Sequence, residues 1–263
     1  MNMNQPAEEN YTPQPPQPRP APPTGHVAVT LPASSPRVTY TILGVTVVAY
    51  LIQLLTQFIY GYDLAVGLGA KANDAIRAGQ LWRFFTPMLL HGSILHIGFN
   101  MYALNAFGAG LERRYGHGRF LLLYILSGFA GTVFSFLFSS ACSIGASGAI
   151  FGLIGAEGIF LFQNRKLFGS QVRRALNNVI FVVAINLFLG LQPGIDNWGH
   201  MGGLMGGLIF AWFAGPHWEV QGIAPNLQVA DRREPRDVIV GAAVVTIIFC
   251  TLAAIGMWFP FVK

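Results

Sequence analysis

Charge is what this 263-residue chain has least of. Asp, Glu, Lys and Arg make up 10% of it, apolar residues make up 53%, and the mean hydropathy is +0.50. A soluble globular domain carries about 25% charged residues. The shortfall falls in long uncharged runs, which excludes an ordinary soluble domain and predicts an all-α, polytopic membrane helix bundle. The net charge of +5 is then no sign of nucleic-acid binding, because an excess of Lys and Arg in cytoplasmic loops gives the same sum. Cysteine is also scarce. Cys142 and Cys250 cannot build a disulfide framework, and both are expected to be free thiols. The six histidines include no His-Glu-x-x-His, and there is no Cys-x-x-Cys, so neither a metal nor a cofactor is expected. No apolar run follows a basic stretch at the N-terminus, so no signal peptide is expected. No inverted repeat is visible either, which weighs against a secondary transporter.

What is present divides the chain clearly. Residues 1–37 are rich in Pro, Thr and Gln, and read as a disordered or polyproline cytoplasmic tail. Apolar spans are predicted near 39–60, 91–111, 119–138, 146–163, 176–191, 198–214 and 237–259. Each approaches the roughly 20 residues that cross a bilayer. A six-span core over 38–214 is thus followed by a linker over 215–236 and a seventh span in 237–263. The stretch 61–90 is too broken to cross. It reads as an amphipathic hairpin in the outer interface, with Trp82 as an anchor and Arg83 bonded to carbonyls. With the N-terminus in the cytoplasm, only Lys71, Arg77, Arg83 and Lys263 of the 16 basic residues fall outside. That distribution predicts a multi-pass protein of the cell (inner) membrane, N-terminus in and C-terminus out.

Polar groups inside lipid are costly, so the few present point to chemistry. Ser147 sits in Gly145-Ala146-Ser147-Gly148 at the start of one span, and His200 sits in Trp198-Gly199-His200-Met201-Gly202-Gly203 at the start of another. A hydroxyl and an imidazole so placed suggest a nucleophile and its base. His96 and Asn100 share a helix face at roughly 8 and 14 Å depth, level with both. The alternative for that pair is an interhelical hydrogen bond that only packs the bundle. Gly148, Gly152 and Ala156 form one small-residue series; Gly199, Gly203 and Gly207 form another, with Gly202 and Gly206 beside it. Such faces let helices approach closely, with or without chemistry. One or both of Gly202 and Gly203 are expected to face the fourth span. Asp196 reads as a cap of the sixth span rather than a third catalytic member. Glu157 lies about 15 Å beyond Ser147, where Asn186 is one candidate partner.

The run from Leu81 to about Gly207 resembles the rhomboid family of intramembrane serine proteases. The motifs are Trp82-Arg83, the His91, His96 and Asn100 segment, Glu112 to Gly116, Gly145 to Gly148, and His200 to Gly203. The seventh span resembles the six-plus-one form of that family. The resemblance implies a Ser147–His200 dyad without a carboxylate. It implies an oxyanion hole from the side chains of His96 and Asn100 and the backbone N–H of Ser147. His91 would support this site, and Phe151 would stack on the catalytic imidazole, although a plain core Phe is the alternative. Glu112 would hydrogen-bond structurally in loops. Substrates would be transmembrane segments of other proteins, entering from the lipid bilayer and unwinding before hydrolysis. Two rival readings remain open: an inactive rhomboid-like protein that binds membrane clients, and a transporter.

Overall fold

A computed structural model describes residues 34–223 and 227–259. The Pro-rich tail expected over 1–37 therefore lies almost wholly outside the described residues. Among those described, helix dominates, in the order expected of a polytopic bundle. α1 (Arg37–Tyr60) runs to Gly61, whose φ of 75° closes the helix with an N–H bond to Gln57 O. The stretch 61–90 is not a hairpin. It holds two short helices, α2 (Leu64–Gly69) and α3 (Asn73–Arg77), then two 3-10 turns, Leu81–Phe84 and Thr86–Leu89. Gly and Pro punctuate it too often for a regular pair of arms.

The second span is one helix in three parts. α4 (Ile94–Ala103) passes through a π turn, Leu104–Gly108, into α5 (Ala109–Tyr115). α6 (His117–Phe138), α7 (Ser147–Gln163), α8 (Arg165–Phe168), α9 (Gln171–Leu189) and α10 (Asn197–Ala214) follow. The linker holds a small antiparallel pair, β1 (Trp218–Gln221) and β2 (Gln228–Asp231), which the all-helical expectation did not include. Asn164 holds it down: its side chain donates to Pro216 O (2.9 Å) and accepts from Trp218 N (2.6 Å). α11 (Pro235–Trp258) is the last element among the described residues, started by Pro at its first position and a capping box between Glu234 and Asp237.

Of the helices described, α1, α6, α9 and α11 are long and apolar enough to cross a membrane. The other three expected spans are interrupted at the π turn, shortened to 17 residues in α7, or rich in glycine in α10. α6, α7 and α10 pack on one another and form the core, with α11 against α6 and α10. Glycine sets that distance. A Cβ at Gly203 would lie 1.9 Å from Gly148 O, so α10 touches α7 backbone to backbone there. A Cβ at Gly202 would lie 2.5 Å from Ala130 O, so this residue faces α6, not the fourth span. Neighbouring glycines on one helix point about 100° apart, which lets one short segment serve two partners.

Two polar anchors sit at the end of the bundle opposite Ser147. Glu112 is fully buried and caps α1, which has no side-chain cap of its own: its carboxylate accepts from Val38 N (2.8 Å), Thr39 N (2.7 Å) and Thr39 Oγ1 (2.6 Å). It thus serves a helix end, not the loops expected. Glu157 forms a two-pronged ion pair with Arg114, whose guanidinium also lies 4.6 Å from the Phe160 ring centre. Asn186, the expected partner, instead donates to Val182 O of its own helix (2.8 Å). Cys142 and Cys250 are both free.

Candidate active site

Ser147 is the first residue of α7 and His200 the fourth of α10. The close Gly148–Gly203 contact lies beside them and brings Ser147 Oγ to 2.9 Å from His200 Nε2. That is hydrogen-bond distance. With Nε2 as acceptor, the neutral ring carries its proton on Nδ1, which is buried and has no hydrogen-bond partner. Asp196 does not reach it. Its Oδ1 accepts from Gly199 N (3.0 Å) and caps α10, as the sequence suggests. Orientation comes from Phe151, one turn into α7, whose ring stacks on His200 at 4.3 Å and 12°.

His96 and Asn100 approach from α4. Ser93 begins this helix by accepting from His96 N (3.1 Å). The Gly92 N–H donates to His96 Nδ1 (3.3 Å), which leaves the ring proton on Nε2. That nitrogen lies 2.7 Å from where a Gly145 Cβ would be, and Gly145 has φ +128°. Glycine is needed there on both counts: a side chain would be strained and would cover the His96 donor. The Asn100 amide donates to His96 O (2.9 Å) with one hydrogen and keeps the other. His91 is buried behind His96, their rings edge to face at 5.0 Å.

Ser147, His200, His96, Asn100 and Phe151 line one cavity of about 750 Å³, with Asn186 and Asp196 also at its wall. The cavity has room for several residues of extended chain and brings a nucleophile, a base and N–H donors together. Trp82 and Arg83 lie apart from it. Trp82 Nε1 donates to Leu68 O (3.0 Å), and Arg83 donates to Ala70 O (2.7 Å) and Gly67 O (2.8 Å). Among the described residues, no group of three His, Cys, Asp or Glu could hold a metal.

Two supporting residues escaped the sequence reading. The Gln53 side chain clamps the backbone of His91, accepting from its N–H (3.0 Å) and donating to its carbonyl (3.0 Å). Lys71 is fully buried and donates to Ser139 O and Ala141 O in the loop before Ser147. The signal was available in both cases: an amide well inside an apolar helix, and a lone lysine in the broken stretch 61–90.

Residues 78–217 match the Rhomboid domain family. The chain is 41% identical over 177 residues to Rhomboid protease GluP of Bacillus subtilis (strain 168), covering 67% of this chain and 34% of that protein. It is 41% identical over 136 residues to RHOMBOID-like protein 6, mitochondrial, of Arabidopsis thaliana, covering 51% of this chain and 44% of that one. RHOMBOID-like protein 1 of the same plant is 41% identical over 134 residues, 51% of this chain and 34% of that protein. The chain thus spans under half the length of these relatives.

Proposed function

The chain belongs to the rhomboid family, and from that premise we propose that it is an intramembrane serine endopeptidase with a Ser147–His200 dyad. The observation that carries this reading is the 2.9 Å contact between Ser147 Oγ and His200 Nε2 on the wall of a cavity within an apolar bundle. In this mechanism His200 Nε2 takes the Ser147 proton as Oγ attacks the scissile carbonyl carbon, and the imidazolium then protonates the leaving amine. The oxyanion accepts hydrogen bonds from His96 Nε2, the free amide hydrogen of Asn100, and the backbone N–H of Ser147. Water, entering through the polar mouth of the cavity, then hydrolyses the acyl-enzyme, with His200 again the base.

The supporting residues have distinct tasks. Phe151 fixes the imidazole plane and His91 backs His96. Gly145, Gly148 and Gly203 permit the close approaches. Trp82 and Arg83 anchor the interfacial stretch. Substrates are transmembrane segments of other membrane proteins, and a segment must unwind to expose an amide, because an intact helix hides its carbonyls. The active site opens on the outer side of the cell membrane, with the N-terminus inside and the C-terminus outside. A fluorophosphonate probe tests the chemistry directly. It should label purified wild-type protein at Ser147, and should label neither Ser147→Ala nor His200→Ala. A folded wild type that stays unlabelled would favour a client-binding role without catalysis.

A further inference from the structure

The segment between α6 and α7, residues 139–146, delivers Ser147 to the cavity but has little holding it from within. Among the described residues, no backbone hydrogen bond joins two members of this segment. Its bonds go elsewhere. Gly145 N donates to Pro87 O (2.9 Å). Ser143 and Lys71 exchange backbone bonds, Lys71 N to Ser143 O at 3.0 Å and Ser143 N to Lys71 O at 3.1 Å. Lys71 Nζ then donates to Ser139 O (2.6 Å) and Ala141 O (2.9 Å). Asn73 Nδ2 adds bonds to Ser139 O (3.0 Å) and Phe136 O (3.3 Å).

Lys71 is a costly choice for this task. Its side chain is fully buried, it joins no ion pair among the described residues, and burial lowers its pKa to about 8. An unpaired buried ammonium opposes folding. Its benefit lies in what the loop does. Cys142, Ser143 and Ile144 line the cavity beside Ser147. The bond from Lys71 to Ala141 O, along with the backbone exchange at Ser143, fixes the loop on that side.

We propose that Lys71 is a positioning residue: its ammonium pins the 139–146 loop, and through it sets the place of the Ser147 hydroxyl and amide and of the cavity wall against which substrate lies. The proposal rests on the protease reading above. It differs from a plain structural role in one respect that can be measured. Replacing a buried charge by an apolar side chain of similar volume is often neutral or stabilising to the fold. Ser139 and Ala141 are not buried, so water can take over their carbonyls. Loop position and catalysis should therefore fail while global stability does not.

The test uses the full chain in detergent, as wild type, Lys71→Met, Lys71→Gln and Ser147→Ala, with exposed Lys166→Met as control. Lys71→Met should keep or raise the thermal unfolding midpoint. Elastase should cut it within residues 139–146 about tenfold faster than wild type. On a transmembrane-segment substrate its kcat should fall about 10- to 100-fold, in line with the cost of a shift near 1 Å, with KM changed less than about twofold. Lys71→Gln, which keeps an N–H donor, should recover part of both effects, and Lys166→Met should match wild type. Elastase cutting and kcat within about twofold of wild type in Lys71→Met would overturn the proposal. So would a parallel loss of unfolding midpoint and kcat in both Lys71 variants, which would make Lys71 a fold residue only. If Ser147→Ala retains wild-type activity, the protease reading fails, and elastase cutting alone then decides for or against the loop clamp.

Discussion

His200 is held by stacking where a carboxylate would otherwise hold it. Its Nδ1 has no partner, and Phe151 lies flat against the ring at 4.3 Å. Aromatic pairs of this kind contribute about 0.5–1.5 kcal/mol beyond area burial. Phe151→Leu, which keeps bulk but not the stack, should lower kcat by about two- to tenfold, because 1.36 kcal/mol corresponds to tenfold. Steady-state kinetics on a membrane-segment substrate checks this, and unchanged kcat would make Phe151 ordinary core. His96 and Asn100 should matter more. Asn100→Ala and His96→Ala are each expected to lower kcat by about 10²–10³ with KM little changed, the pattern of donors used mainly in the transition state. Full activity of Asn100→Ala would leave it with its present bond to His96 O and a packing role alone.

At the scale of elements, glycine lets Ser147 and His200 meet. Gly203 touches the Gly148 carbonyl and Gly202 touches the Ala130 carbonyl, so α10 is wedged against α7 on one side and α6 on the other. Gly203→Val should push α10 from α7 and separate Ser147 from His200, lowering kcat by about 100-fold or more. Gly202→Val should push α10 toward α7 and destabilise the bundle without opening the dyad directly. Thermal unfolding and kcat, measured together, separate the two, and wild-type values for both variants would show that close packing does not align the site. The same elements show how far a sequence can be read. The Ser147–His200 encounter was legible because each residue carries its own glycine signature. Glu112 on the N-terminus of α1 was not, since 73 residues separate Glu112 from Thr39 and nothing local marks the pairing. Arg114 as the partner of Glu157 was missed for a related reason. Counting residues gives depth along a helix, but not which neighbour its face meets, and Asn186 at a plausible depth proved to bond its own helix.

For the whole molecule, the proposed orientation rests on charge asymmetry. Arg114, Glu157 and Arg119 lie at one end of the bundle and the cavity at the other. Basic residues of that first end and of the α10–α11 linker are the ones expected in the cytoplasm. Fusions give the test. Alkaline phosphatase placed after Lys263 should be active, since it would lie outside. Placed after Arg174, between α8 and most of α9, it should be silent, and a fluorescent protein there should fold. The reverse pattern would put the catalytic mouth in the cytoplasm. The order of seven helical segments was legible from hydropathy alone. The small β1–β2 pair was not, because its strands are four residues each and their hold on the bundle comes from Asn164, far off in sequence.

The π turn at Leu104–Gly108 gives the second span a tolerance that its neighbours lack. Such a turn takes up about one residue more than an α turn. Asn100 must face the cavity and Glu112 must reach α1, so the two ends of this span are locked in phase through the turn. Removing Ala106 should let the turn relax into regular α-helix with both ends still correctly faced. Removing Leu153 from the uninterrupted α7 has no such escape and would swing Glu157 about 100° away from Arg114. Single-residue shortening should therefore be survivable in the second span and ruinous in the fourth. Unfolding midpoints of the two deletions, read side by side, would show whether that slack is real.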